Sequence, residues 1–199
     1  MAKKESTLLQ LILSLTVIAV VAGIALAGVY SITKEPIEKV QLEKKNQAIA
    51  KVLPDFNFES GEIKEISRMP EDGKDQIILN MAYIDGELFG AAVETYTDIA
   101  YSGRFTIMVG FDATGNITGT EVLQMAETPG LGDKIDKSKD SKFSPQFVGK
   151  NPEIFKLKVK KDGGDVDAIT AATISSRAFC DAIERAYKTF IKAKEENHE

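Results

Sequence analysis

The stretch FTIMVGFDATGNITGTEVL, residues Phe105–Leu123, has the sequence pattern of a β-hairpin. Two runs rich in β-branched and aromatic residues, Phe105–Phe111 and Ile117–Leu123, flank the turn-forming segment DATGN. A second pair of runs, Gln76–Ile84 and Leu88–Thr97, flanks the segment DGE, whose Asp-Gly pair is a strong hairpin signal. The two hairpins predict an antiparallel sheet.

Two further elements complete the predicted domain, to which we assign residues 61–199. Ile154–Val159 (IFKLKV) alternates apolar and basic residues and predicts another strand. From Ser175 to Lys194 the apolar residues recur at helical spacing, which predicts an amphipathic helix that packs on the sheet. Hairpins in sequence followed by a terminal helix predict an α+β domain.

Residues 1–33 have the composition of a membrane anchor. Leu8–Tyr30 contains no charged residue, and about 23 residues of helix span roughly 34 Å, enough for a hydrocarbon core of roughly 30 Å. A cleavable signal peptide is the alternative, because Ala25-Leu26-Ala27 has the small-x-small pattern of a cleavage site. Lys3 and Lys4 precede the span, so the positive-inside rule predicts a cytoplasmic N-terminus and an extracytoplasmic domain.

Residues 34–60 form the predicted connection between anchor and domain. Lys34–Leu53 mixes charged residues with apolar residues at helical spacing. Pro36 suits the first turn of a helix, and Pro54 suits a position just past its end. The pattern predicts a membrane-proximal helix.

The composition argues against several kinds of chemistry. The net charge of −5, with no basic cluster, disfavours a nucleic-acid or anionic-lipid surface. The single cysteine, Cys180, can form neither a disulfide within the chain nor an iron–sulfur cluster. The single histidine, His198, lies next to the C-terminus, which disfavours a zinc site, a Ser-His-Asp triad and a histidine-ligated haem. A redox function would therefore require an organic cofactor.

Two segments have the composition of a binding site. Asp167–Ser176 (DAITAATISS) carries four hydroxyl side chains in seven residues just before the predicted helix. These hydroxyls suit either helix capping or an anion site at the helix N-terminus, and the residue types do not separate the two. Glu127–Asp133 (ETPGLGD) is too rich in Gly and Pro for a strand or helix. It is either a plain connection or a loop whose glycines allow close approach of a flat ligand.

These segments occur in an order that is similar to a known family. Tyr101–Phe105 (YSGRF), Val109–Asp112 (VGFD), ETPGLGD and TAATISS together resemble the FMN-binding domain of the G subunit of the Rnf-type electron transport complex. The C subunit of Na⁺-translocating NADH:quinone reductase has the same domain. The resemblance covers Tyr83–Phe190, and the chain length and single anchor favour the Rnf protein. The resemblance implies FMN as the cofactor.

The resemblance also implies how FMN is attached. In that family a flavin transferase joins the FMN phosphate to the second hydroxyl residue of the motif [S/T]-G-A-[T/S]-x-x-[S/T]. On this chain Thr170 takes the first position, Ala172 the alanine, Thr173 the acceptor and Ser176 the last hydroxyl. Ala171 replaces the usual glycine, which would cost about 1 kcal/mol if the turn there requires a positive φ.

Other cofactor-binding residues follow from the same resemblance. Leu131 is expected to contact the isoalloxazine ring, and Glu127 and Thr128 are expected to shape the pocket by hydrogen bonds. The remaining expected contacts are Gly130, Gly132, Tyr101, Ser102 and Ser175. Neither a general acid–base residue nor a metal ligand is expected.

The implied function is that of an electron-transfer subunit in a membrane-bound, ion-translocating ferredoxin:NAD⁺ oxidoreductase of the cell membrane. The expected partners are the A, D and E membrane subunits, the B and C cytoplasmic subunits, and a flavin transferase. The alternatives are the C subunit of the quinone reductase and a non-catalytic extracytoplasmic module for assembly or binding.

Overall fold

The computed structural model describes residues 7–136, 138 and 142–196. Internal contacts divide the chain into two units, with the boundary between Lys44 and Lys45. The first unit contains most of helix α1, which extends from Leu8 to Val52. The second unit contains the end of α1, a sheet and a second long helix.

Helix α1 contains the expected apolar span. Its most apolar window has a mean hydropathy of 2.6, and none of that window is buried. By length and composition it can cross a membrane. The sequence predicted a separate membrane-proximal helix with Pro36 in its first turn. This prediction is wrong, because Pro36 lies inside the continuous helix α1. Proline removes one hydrogen bond, to the carbonyl of Ile32, and the long flanking segments continue the helix through this position.

The sheet has five antiparallel strands in sequence order. They are β1 (Glu62–Arg68), β2 (Ile77–Ile84), β3 (Glu87–Thr97), β4 (Phe105–Asp112) and β5 (Ile117–Gln124). Both predicted hairpins are confirmed, since β2 pairs with β3 and β4 with β5. Asp85 and Gly86, which connect β2 and β3, both have positive φ, as tight hairpin turns require. The edge strand β1 was not predicted from the sequence, because four of its seven residues are charged.

The strand predicted at Ile154–Val159 is wrong. The segment forms turns, followed by a short 3₁₀ helix at Lys160–Asp162 and a single bridge between Val159 and Val166. Its side chains alternate between exposed and buried over 156–159, which explains the misleading pattern. Its backbone hydrogen bonds join residues of the same stretch, such as Phe155 N–H to Asn151 O at 2.8 Å and Asp165 N–H to Lys156 O at 3.1 Å, and among the described residues none joins it to a strand of the sheet.

Helix α2, Thr173–Glu196, confirms the predicted terminal helix. It covers one face of the sheet, where Phe111 and Phe190 stack with ring centres 5.3 Å apart. The end of α1 covers the other face, where Ile49 and Val52 pack with Ala92 and Met108. The α+β architecture is therefore as predicted, with the central strands of the sheet buried on both faces.

A candidate cofactor cleft at the start of helix α2

Three loop segments meet beside the first turn of α2 and form a cleft of about 460 Å³. They are the connection from β3 to β4, the segment that follows β5, and the segment that enters α2. The volume lies within the usual range for small-molecule sites. The cleft is lined by Tyr101, Glu127, Thr128, Leu131, Gly132, Ala171, Ala172, Thr173, Ile174 and Ser175.

A tight turn leads into α2. The N–H of Ala172 donates to the carbonyl of Ile169 at 3.0 Å, and Ala171, the third residue of the turn, has φ of 62°. A positive φ at that position defines a type II turn, which favours glycine. The motif described above has glycine at this position, which agrees with the positive φ found here. Ala171 adopts the left-handed conformation in spite of its Cβ.

The helix begins without a side-chain cap. Ala172 accepts the first helical hydrogen bond, from Ser176 N–H at 3.0 Å, and alanine has no side-chain acceptor to offer at this position. Within the described residues, the N–H groups of Thr173, Ile174 and Ser175 donate no hydrogen bond. These three donors lie at the positive end of a helix of 24 residues, at the edge of the cleft.

Neither serine of the motif caps these N–H groups. Ser175 is buried, and its hydroxyl donates to Glu127 Oε2 at 2.5 Å. Ser176 is buried as well, where its hydroxyl accepts from Ile169 N–H and donates to Ala172 O, both at 3.0 Å. Helix capping, the simpler of the two interpretations left open by the sequence, therefore does not account for these hydroxyls.

Thr173 is the hydroxyl residue of this segment that lines the cleft and is half-buried. In the described part of the chain its Oγ1 has no hydrogen-bond partner. Thr170 lies in the turn and is exposed, outside the cleft lining. The two threonines therefore differ in position, although both carry the same nucleophilic group.

The ETPGLGD segment contains a second type II turn. Leu131 N–H donates to Thr128 O at 3.1 Å, and Gly130, in the third position, has φ of 76°. Gly132 meets a different requirement. A Cβ at this position would overlap Glu127 Oε2 and lie 2.7 Å from Ser175 Oγ. Glycine at position 130 therefore allows the positive φ of the turn, whereas glycine at position 132 allows Glu127 and Ser175 to approach the backbone closely.

Glu127 is a buried carboxylate at the cleft, with 7% of its surface exposed. Its Oε1 accepts from Ser102 N–H at 2.9 Å, and its Oε2 accepts from the Ser175 hydroxyl. Ser102 therefore reaches the site through its backbone, outside the cleft lining.

Arg104 fixes the loop that carries Ser102. Its guanidinium group pairs with Asp98 and Asp75 and lies 4.3 Å from the centre of the Tyr96 ring. Its hydrogen bond to Asp98 lowers the pKa of that carboxyl group and raises the pKa of the guanidinium. The contacts of Arg104 therefore connect this loop to β3 and to the segment that precedes β2.

Apolar side chains line the cleft alongside these polar groups. Leu131, Ile174 and Tyr101 are 40%, 46% and 69% exposed. Large apolar surfaces left in contact with water next to hydrogen-bonding groups are typical of a binding site for a flat amphipathic molecule. The donors at the helix start suit a phosphate, and the apolar residues suit an aromatic ring, so the lining fits a flavin nucleotide.

Arg177, which lies near the start of α2, pairs through its guanidinium with Asp162 at 2.7 Å. Hydrogen bonding to Arg177 lowers the pKa of Asp162. Neither residue lines the cleft. Among the described residues, no group of three or more potential ligands could hold a metal ion.

The structure brings most of the expected cofactor contacts together. Eight of them line the cleft: Tyr101, Glu127, Thr128, Leu131, Gly132, Ala172, Thr173 and Ser175. Four lie beside it without lining it: Thr170, Ser176, Gly130 and Ser102. Ala171 and Ile174 also line the cleft but were not expected contacts. The sequence pattern did not single out Ile174 as a cleft residue, because the predicted helix began one residue later, at Ser175.

Known proteins share both the domain and most of the chain. A family model described as an FMN-binding domain matches residues 100–188, which include all three cleft segments. The G subunit of the ion-translocating oxidoreductase complex from Aliivibrio fischeri strain MJ11 is 34% identical over 90% of this chain and 89% of its own length. The chain belongs to this G-subunit family.

Two other members of the G-subunit family support the same assignment. The protein from Haemophilus influenzae strain PittEE is 32% identical over 85% of this chain and 83% of its own length. The protein from Escherichia coli K12 is 35% identical over 80% of each chain. The resemblance inferred from the four motifs is therefore confirmed. These relatives are named as parts of an ion-translocating oxidoreductase complex, so this chain is a redox subunit with an FMN-binding domain.

Proposed function

We propose that this chain carries FMN as a phosphoester of Thr173 and relays electrons within an ion-translocating ferredoxin:NAD⁺ oxidoreductase complex. The observation that carries the proposal is the start of α2, where three N–H donors and the Thr173 hydroxyl border one cleft with no protein partner among the described residues. A helix start of this kind stabilises a phosphate through hydrogen bonds and the helix dipole.

Attachment requires a phosphoryl transfer to Thr173. The Oγ1 atom loses its proton to a base of the transferase and forms a new bond to phosphorus. The phosphoanhydride bond of the flavin donor breaks, and its leaving group departs with the electron pair. The donor must be a phosphoanhydride of FMN, because a free phosphate monoester has no comparable leaving group. Half-burial of Thr173 leaves its hydroxyl accessible for this reaction.

The residues around Thr173 bind and orient the cofactor. FMN, when bound, supplies the capacity to accept and release electrons. The N–H groups of Ile174 and Ser175 would hold the phosphate, and Leu131 and Tyr101 would exclude water from the ring. Thr128 is exposed at the cleft and offers a hydroxyl group for a polar edge of the ring.

The proposed setting is the cell membrane. Leu8–Tyr30 would span the bilayer, with Lys3 and Lys4 on the cytoplasmic side and the FMN domain outside. The proposed partners are the other Rnf proteins, namely the A, D and E membrane subunits and the B and C cytoplasmic subunits, together with a flavin transferase. The relatives from the G-subunit family favour this complex over the quinone reductase.

The decisive experiment is intact-mass measurement of the full chain after co-expression with a flavin transferase. We expect the wild type to gain the mass of FMN less one water, and the tryptic peptide that contains Thr173 to carry it. Thr173→Ala should abolish the added mass, whereas Thr173→Ser should retain it. Thr170→Ala is the matched control, since Thr170 is exposed outside the cleft, and it should be labelled fully.

Other results would contradict the proposal in distinct ways. Loss of label in Thr170→Ala with retention in Thr173→Ala would move the ester to Thr170. A wild-type protein with neither covalent nor dissociable FMN would favour the non-catalytic assembly module. Recovery of FMN only after denaturation, without added mass, would support the cofactor but refute the covalent bond.

A further inference from the structure

Glu127 connects two of the segments that line the cleft. Its two carboxylate oxygens bind different parts of the chain, Oε1 the Ser102 N–H at 2.9 Å and Oε2 the Ser175 hydroxyl at 2.5 Å. Ser102 belongs to the connection between β3 and β4, and Ser175 to the first turn of α2. One side chain therefore sets the position of the loop relative to the helix.

Glycine at position 132 brings a further stretch of backbone against the same carboxylate. Since a Cβ on Gly132 would overlap Glu127 Oε2, the ETPGLGD segment closes over its own glutamate only because position 132 has no side chain. Burial, the two donors and this close contact leave the carboxylate little freedom. Its position is thus fixed in the folded protein before any cofactor arrives.

The charge environment of Glu127 is also unusual. Its two hydrogen-bond donors are neutral, and no lysine or arginine nitrogen in the described residues lies within 4 Å of it. The cleft lining includes Glu127 but neither lysine nor arginine. A carboxylate that is buried and paired only with neutral donors acts on its surroundings more strongly than an exposed one, because solvent screens it less.

We propose that Glu127 is the positioning residue of the flavin cleft and that its fixed negative charge lowers the reduction potential of FMN bound there. This inference rests on the proposed function. Adding an electron next to a fixed negative charge is unfavourable, so the carboxylate stabilises oxidised FMN relative to reduced FMN. The Ser175 hydroxyl moderates the effect, because its hydrogen bond partly neutralises Oε2.

If Glu127 acts through its charge, two substitutions should shift the midpoint potential of FMN in opposite directions. Glu127→Gln keeps the size of the side chain and removes the charge, so the midpoint potential of FMN should rise. Ser175→Ala keeps the charge and removes a donor to it, so the potential should fall. A role of Glu127 in the shape of the cleft alone gives no physical reason for shifts of opposite sign in these two variants.

The experiment uses full-length, flavin-loaded protein in detergent, with the potential measured by spectroelectrochemical titration. Asp162→Asn is the matched control, because it removes an exposed carboxylate near the same end of α2, outside the cleft. It should leave the potential unchanged. An unchanged potential in Glu127→Gln at full FMN content, or shifts of the same sign in Glu127→Gln and Ser175→Ala, would overturn the inference.

The positioning role of Glu127 can also be tested without FMN, by measuring the unfolding temperature of the FMN-free protein. Glu127→Leu removes both acceptors and leaves the Ser102 N–H without its partner, so the FMN-free protein should unfold at a lower temperature than the wild type. An unaltered unfolding temperature would refute the positioning role. Failure of the proposed function is distinguishable, because wild-type protein would then lack FMN by mass before any potential is measured.

Discussion

The hydroxyl of Thr118, in β5, donates a hydrogen bond to the carbonyl oxygen of Val52, the last residue of α1. The last carbonyls of a helix have no partner within the helix, and here a strand of the sheet supplies one. Gly110 and Gly119 lie under the same helix end, where a Cβ on Gly110 would overlap the Val52 carbonyl. The two glycines therefore allow the end of α1 to approach the sheet at backbone distance.

This close approach makes Gly110 intolerant of a side chain. We expect Gly110→Ala to lower the free energy of unfolding by about 1–3 kcal/mol, because the methyl group forces the helix end away from the sheet. Thr118→Val removes only the hydrogen bond and should cost about 1 kcal/mol. Chemical unfolding followed by near-ultraviolet circular dichroism of the tyrosines measures both. A smaller loss in Gly110→Ala than in Thr118→Val would contradict the close packing.

The left-handed conformation of Ala171 predicts a stabilising substitution. Ala171→Gly should raise the free energy of unfolding of FMN-free protein by about 1 kcal/mol, since glycine adopts φ of 62° without steric cost. Thermal unfolding should then shift upwards by about 2–4 °C. Ala168→Gly, at an exposed neighbour without positive φ, is the control and should not stabilise. Equal effects of the two substitutions would show that the turn is not strained.

Glu94 predicts a dependence of stability on pH. Burial raises the pKa of Glu94 above its ordinary value of 4.5. The positive charge of Lys45 lowers this pKa, and the negative charge of Glu65 raises it further, so that the pKa remains above 4.5. The folded state then binds the proton more tightly than the unfolded state, so this group's contribution to stability falls as pH rises above 4.5.

Glu94→Gln should remove that loss, because the amide stays neutral. The difference in free energy of unfolding between Glu94→Gln and the wild type should therefore grow in favour of the variant between pH 4 and pH 7. Urea unfolding at several pH values measures it, with Glu59→Gln as the control for losing one exposed carboxylate. A difference that shrinks as pH rises would show that pairing with Lys45 outweighs burial.

Arg185 predicts a large loss of stability from a single helix residue. Its buried guanidinium donates to the carbonyl of Tyr96 and pairs with Asp181 at 3.0 Å and Asp72 at 3.3 Å. We expect Arg185→Met to cost about 1–3 kcal/mol, because it leaves the buried carbonyl of Tyr96 without its donor.

Lys188→Met is the matched control on the same helix. Lys188 forms an exposed pair with Glu184, so its loss should cost less than about 1 kcal/mol. Thermal unfolding of the two variants separates buried from exposed pairing. Comparable losses would contradict the structural role of Arg185.

The sequence was sufficient for the elements with strong local signals. The Asp-Gly turn, the runs of β-branched and aromatic residues in β2 to β5 and the helical spacing in α2 all depend on neighbours in the chain. The strand prediction failed at Ile154–Val159, because side chains also alternate between exposed and buried in a segment that does not join the sheet. It missed β1, because an edge strand with one exposed face carries charged residues that obscure the pattern.

The candidate site divides in the same way. The sequence by itself determined which segments take part and, through the family motif, that Thr173 is the expected acceptor. Only the tertiary structure decided that Ser175 binds Glu127, that Gly132 makes room for this contact, and that Ala172 leaves the start of α2 uncapped. These contacts join residues up to 48 positions apart, and no local pattern specifies them because they depend on how separate segments pack.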